Sequence, residues 1–115
     1  MTNFDLDPQN LARSCHEVLI LSSLAEGPRH GYQLALEIEE RSDGSFRFNH
    51  GTLYPILHKL ESGGYVDGTW AESKGKRKRR QYALTTAGEK HLETLRTAWE
   101  RFSDSLFNVI GRSGS

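Results

Sequence analysis

The chain has 115 residues, 36% hydrophobic and 26% charged, which suits one domain with a real core and is too short for two. Its 15 basic and 15 acidic residues cancel, so net charge alone draws it to no polyanion. No apolar run approaches the roughly 18–20 residues of a membrane span, the opening MTNFDLDPQN lacks the basic and apolar regions of a signal peptide, and the single cysteine excludes an internal disulfide. A cytoplasmic protein is expected.

Residues 10–28, NLARSCHEVLILSSLAEGP, predict a first helix that stops near Gly27-Pro28. Its apolar residues (Leu11, Cys15, Val18, Leu19, Ile20, Leu21 and Leu24) run nearly all the way round, the pattern of a surrounded helix. Cys15 is read there as a small packing residue. Residues 30–44, HGYQLALEIEERSDG, predict a second, amphipathic helix. Tyr32, Ala35 and Ile38 form its inner stripe, Glu37, Glu39, Glu40 and Arg41 face water, and SDGS ends it.

A third helix lies within NHGTLYPILHKLESGG, where Leu53, Ile56, Leu57 and Leu60 repeat at helical spacing. Asn49 is the expected N-cap and Gly63-Gly64 the stop. YVDGTWAE and RQYALT follow, rich in aromatic and β-branched residues, and read as the two strands of a hairpin with Tyr82 and Leu84 on its helix-covering face. Between them, KGKRKRR (residues 74–80) gathers six of the 15 basic residues, with Gly75 permitting a turn. A run so segregated is either a solvated tip or a surface for a polyanion.

The closing stretch TTAGEKHLETLRTAWERFSDSLFNVIG predicts a long helix capped by Thr85 or Thr86. Leu92, Leu95, Trp99, Phe102, Leu106 and Val109 step alternately by three and four residues, an a/d seam. About 24 residues give a rod of roughly 36 Å, longer than a small three-helix domain is wide. A homodimer along this seam is expected, since a monomer would leave the strip in water.

Helix, helix, helix, hairpin, helix is the order of a winged helix-turn-helix with an added C-terminal helix. The expected fold class is therefore mostly α with a small β-hairpin (α+β). Residues 10–85 would form the DNA-binding domain and 86–110 a dimerisation helix. In that arrangement the third helix enters a groove of double-stranded DNA and the hairpin tip lies along phosphates.

Three stretches carry a family resemblance: His30-Gly31-Tyr32, then Gly51-Thr52-Leu53-Tyr54-Pro55, then Tyr82 followed by Thr85, Ala87 and Gly88. In order and spacing they resemble the landmarks of the PadR family of bacterial transcriptional regulators, from about Val18 to Leu92. A single helix after the wing is similar to the short branch of that family. The resemblance implies a dimer formed through the last helix and repression of efflux or detoxification genes. Multidrug-sensing relatives further imply a flat aromatic pocket at the dimer centre, where Trp99 and Phe102 would stack a planar aromatic effector. The same two residues also suit plain interface core.

With the leucine stripe inward, the third helix turns Gly51, Pro55 and His58 outward, flanked by Tyr54 and Lys59. Gly51 and Pro55 are poor helix formers of little bulk, which lets backbone approach DNA closely. A Pro55 ring meeting the Gly51 carbonyl predicts a distorted first turn. Tyr54 and His58 offer hydrogen bonds to phosphates or base edges. His50, Gly51, Thr52, Tyr54, Pro55, His58 and Lys59 are the candidate contacts of this helix, and Lys76, Arg77, Lys78 and Arg79 those of the tip. Arg80 is read as the start of the strand. The amides opening the second helix suit a phosphate, while Tyr32 itself is read as core.

The five histidines form no i, i+4 pair with a third metal ligand, and Cys15 and His16 diverge on their helix by about 100°. No metal, cofactor or enzymatic activity is expected. The competing class is a winged helix used only for protein–protein contact, with the basic run as a solvated turn.

Overall fold

The computed structural model describes the backbone of residues 8–72 and 78–113, with side chains from Cys15 onward and Glu72 excepted. Its elements run α1 (Pro8–Leu24), β1 (Arg29–His30), α2 (Gly31–Arg41), α3 (His50–Ser62), β2 (Val66–Glu72), β3 (Lys78–Leu84) and α4 (Thr86–Ile110). The architecture is α+β, four helices with one three-stranded antiparallel sheet among the described residues.

One apolar cluster joins every element but β1. Ile20, Leu21 and Leu24 of α1 meet Leu34 and Ile38 of α2, Leu53, Leu57 and Leu60 of α3, Val66 of β2, Tyr82 of β3 and Leu92 of α4. Each fully buried aliphatic side chain contributes about 1.5–3 kcal/mol relative to exposure, so the helical spacing of the leucines decides which face of each helix turns inward.

Three expectations need correction. Tyr32 is not core: it is 60% exposed, while Gly31, Leu34 and Ile38 make the buried stripe of α2. Leu34 and Ile38 stand four residues apart on one face, and that pair, extended by Gly31, sets the register that turns Tyr32 outward. Second, the hairpin has a third partner, since β1 pairs with β3 through Arg29↔Tyr82 and His30↔Gln81. Two residues have no period to read; only the ladder to β3 makes them a strand. Third, β3 starts at Lys78 rather than at Arg80, because the ladder continues outward through Ala71↔Arg79 and Glu72↔Lys78.

The start of α4 is tightly fitted. Thr85 is its N-cap, its hydroxyl accepting from the Gly88 amide at 3.0 Å and donating to the Gly64 carbonyl at 2.7 Å. A Cβ at Gly88 would stand 2.0 Å from the Tyr65 carbonyl oxygen, so only glycine permits this approach. Farther along, Leu92 is buried in the chain's own core and Leu95 packs against it. Of the expected seam, Leu92 is thus committed to the chain's own core and Leu95 in part. Beyond them Phe102, Leu106, Val109 and Ile110 are exposed, on a helix that makes the molecule 54 Å long against 28 and 25 Å across.

Candidate nucleic-acid interface

Asn49 organises the entry to α3. Its side-chain oxygen accepts from the Thr52 amide at 2.9 Å and the Thr52 hydroxyl at 3.0 Å, as an N-cap should. Thr52 thereby commits its hydroxyl to the cap. The helix runs unbroken from His50 to Ser62 with Pro55 inside it. Burial of Leu53, Leu57 and Leu60 leaves Gly51, Tyr54, Pro55, His58 and Lys59 exposed. His50 stacks on Tyr54 with ring centroids 5.7 Å apart and planes 6° from parallel.

Tyr54 crosses to the start of α2, where a Cβ on Gly31 would lie 2.9 Å from its hydroxyl oxygen. Gly31 therefore sets how closely the two helices approach at this end. His30 is the N-cap residue of α2 but makes no side-chain cap bond, and its Nδ1 is buried with no hydrogen-bond partner among the described residues.

The wing brings charge to the same side. Lys78 and Arg79 are exposed on β3 and have no carboxylate partner among the described residues; Lys76 and Arg77 lie outside those residues. Arg80 behaves differently. It pairs with Glu61 of α3 and lies 5.5 Å from the ring centroid of Trp70.

Together these groups enclose an open cleft of about 510 Å³ lined by His30, Gly31, Tyr32, Tyr54, Trp70 and residues 78–80. Of the residues expected to contact DNA, the cleft unites Tyr54, Lys78 and Arg79. Gly51, Pro55 and His58 are exposed on α3 outside its lining, and Lys59 sits 4.0 Å from Glu17 of α1. Trp70 was not foreseen. It is 66% exposed, and a large aromatic set among Asp67, Gly68 and Thr69 was the available signal.

Among the described residues, two groups are shifted from their ordinary ranges. Burial pushes the Tyr82 phenol up, the Glu61 carboxylate adds to the rise, and the Arg80 guanidinium opposes it. Burial also raises the Cys15 thiol, which suits a packing residue better than a nucleophile. No three His, Cys, Asp or Glu side chains among the described residues are grouped to hold a metal ion, and no described helix is long and apolar enough to cross a membrane.

On α4, Trp99 and Phe102 meet edge to face, with centroids 5.9 Å apart and planes at 86°. Trp99 is half-buried and Phe102 37% exposed.

A helix with a committed inner face, a cationic hairpin beside it and a projecting last helix define a winged helix-turn-helix protein. Residues 20–94 match the transcriptional regulator PadR-like family, and the chain belongs to that family, whose members are transcriptional regulators rather than enzymes. It is 34% identical over 91 residues to the transcriptional regulator Rv3488 of Mycobacterium tuberculosis, covering 79% of this chain and 81% of that one. A transcriptional regulator from Clostridium thermocellum superposes with a TM-score of 0.79 at 26% identity, covering 88% of this chain and 98% of the other. A PadR family regulator from Eggerthella lenta gives 0.73 at 28% identity, covering 91% and 89%. The chain spans 89% of a relative from Lysinibacillus sphaericus but 41% of the longer regulator YqjI of Escherichia coli.

Proposed function

We propose that this chain is a homodimeric, sequence-specific DNA-binding repressor. One observation carries the reading: Tyr54 of α3 and the cations Lys78 and Arg79 of the wing open onto one cleft, although they arise from separate elements. A helix that reads base edges and a strand that binds phosphates need that juxtaposition. Seen this way, the excess of charge in residues 74–80 is the electrostatic term of DNA affinity. A neutral protein concentrates its cations where the polyanion lies.

The exposed strip of α4 supports the dimer, because a two-fold contact covers it and fixes the spacing of two α3 helices. Trp99 and Phe102, set edge to face within that strip, are the site for a planar aromatic effector whose preference for one spacing shifts the protein off DNA. The resemblance to the short branch of the family supports efflux or detoxification genes as targets.

The test is a titration of duplex from upstream of the protein's own gene against random duplex at several salt concentrations. Tighter binding of the first, with log affinity falling linearly in log salt, supports the reading. Equal, salt-insensitive affinity for both returns the fold to protein–protein contact.

A further inference from the structure

The reading above draws on two surfaces from different elements, and their relative angle must be held by something. The connection from α3 to β2 is the turn Gly63-Gly64-Tyr65, with Gly64 at φ 81°, and the Thr85 hydroxyl on the Gly64 carbonyl ties this joint to α4. The tie between α3 and the far strand of the wing is a separate one. Glu61, in the last turn of α3, pairs with the Arg80 guanidinium of β3. The same guanidinium lies 5.5 Å from the Trp70 ring centroid, across the rung Trp70↔Arg80.

Gly68 makes room for it. A Cβ there would stand 2.7 Å from Arg80 Nε and 2.9 Å from Nη2, so the guanidinium runs over the bare backbone of β2. Nη2 of this planar fork is held by the Glu61 carboxylate and its face lies near the indole, which fixes the direction of the side chain. Its side chain is 32% exposed, and that of Glu61 29%. Lys78 and Arg79, two neighbours in the same charge run, are exposed instead.

We propose that Arg80 is a positioning residue. Through Glu61 and Trp70 it fixes the angle between the wing and α3, and so sets the selectivity of duplex binding without contacting DNA. This rests on the DNA-binding reading above, and the basic run then divides by role: Lys78 and Arg79 face the polyanion, and Arg80 ties the wing down.

The test uses Arg80→Gln, Glu61→Gln and the charge exchange Glu61→Arg with Arg80→Glu. The probes are a duplex enriched from a random pool by the wild-type protein and an unselected duplex. Each single variant lowers the ratio of the two affinities about tenfold and leaves the salt slope unchanged, and the charge exchange recovers part of the ratio. Glu61→Gln is the sharper arm, being isosteric and folding even where Arg80→Gln does not. By simple electrostatics, removal of a carboxylate beside a polyanion raises affinity; loss of positioning lowers it on the selected duplex. A slope reduced by about 2 per dimer in Arg80→Gln, with Glu61→Gln unaffected, makes Arg80 a phosphate ligand and overturns the proposal. In the free protein, ¹⁵N relaxation of the β2 and β3 amides shows greater motion in both single variants. Unchanged motion overturns the brace even where DNA binds, whereas a wild-type protein that enriches no duplex overturns the DNA reading alone.

Discussion

The Tyr54 side chain of α3 lies so close over Gly31 of α2 that a Cβ there would stand 2.9 Å from its hydroxyl and 3.0 Å from its ring. The glycine of the second helix is thus a spacer for a residue on the third. Gly31→Ala should push the flexible end of Tyr54 aside while leaving the Leu53, Leu57 and Leu60 packing intact. The expected result is a loss of about 1–3 kcal/mol in specific over random duplex binding, the size of one base or ordered phosphate contact. Thermal unfolding should change little. Tyr54→Phe, which removes the hydroxyl alone, should reproduce most of the loss if that oxygen makes the contact. Equal loss on both duplexes leaves Tyr54 a positioning contact only.

Lys78 and Arg79 should act without regard to sequence. Replacing both by Ala removes four cations from a dimer, each worth about 0.9 in the slope of log affinity against log salt. The slope should therefore fall by about 3–4 on every duplex, with the melting temperature unchanged because both side chains are exposed. A slope that stays put makes the run a solvated turn.

Val109 is 86% exposed in the single chain, so a charge there costs the isolated fold almost nothing. In a two-fold seam it would be buried against its copy. Val109→Asp should weaken the dimer by about 2 kcal/mol or more, read by sedimentation across a dilution series. A wild-type protein that sediments as a monomer at micromolar concentration sinks both the dimer and the effector pocket built on it.

The Tyr82 phenol lies above its ordinary value of 10.0, raised by burial and by Glu61. The folded chain holds this proton more tightly than the unfolded one, so the stability it brings is whole below pH 10 and is lost as pH rises through the folded value. Tyr82→Phe should lower stability at neutral pH and flatten the fall seen under alkaline conditions. Parallel pH curves for the two proteins would assign the alkaline loss elsewhere.

Periodicity revealed what single-chain burial decides. The leucines of α3, the N-cap Asn49, the α4 cap narrowed to Thr85 or Thr86, and Tyr82 facing the helices were legible, because each rests on local spacing or on one side chain's chemistry. What escaped depended on pairing between distant segments. Arg29 and His30 become a strand only against β3. Tyr32 and Leu34 exchange places because stripes through either one fit a helix, and contacts outside α2 choose between them. In the charge run, the sequence set Arg80 apart from Arg79 only as the start of a strand; its pairing with Glu61, nineteen residues away, was not legible. Trp70 was overlooked because an exposed aromatic breaks no pattern in a short strand.

Thr85 and Gly88 pin the beginning of α4 against Gly64 and Tyr65 at the root of the wing. From that fulcrum the helix runs 25 residues to Ile110, an arm of about 37 Å. A tilt of about 5° at its base carries the far end through about 3 Å, roughly half a helical pitch. The leverage also works in reverse: a sideways displacement forced on the tip returns to the root as a rotation of a few degrees. In the proposed dimer, where Val109 would meet its copy, bulk added or removed there would be a fine adjustment of the angle at the wing, made from the opposite end of the molecule.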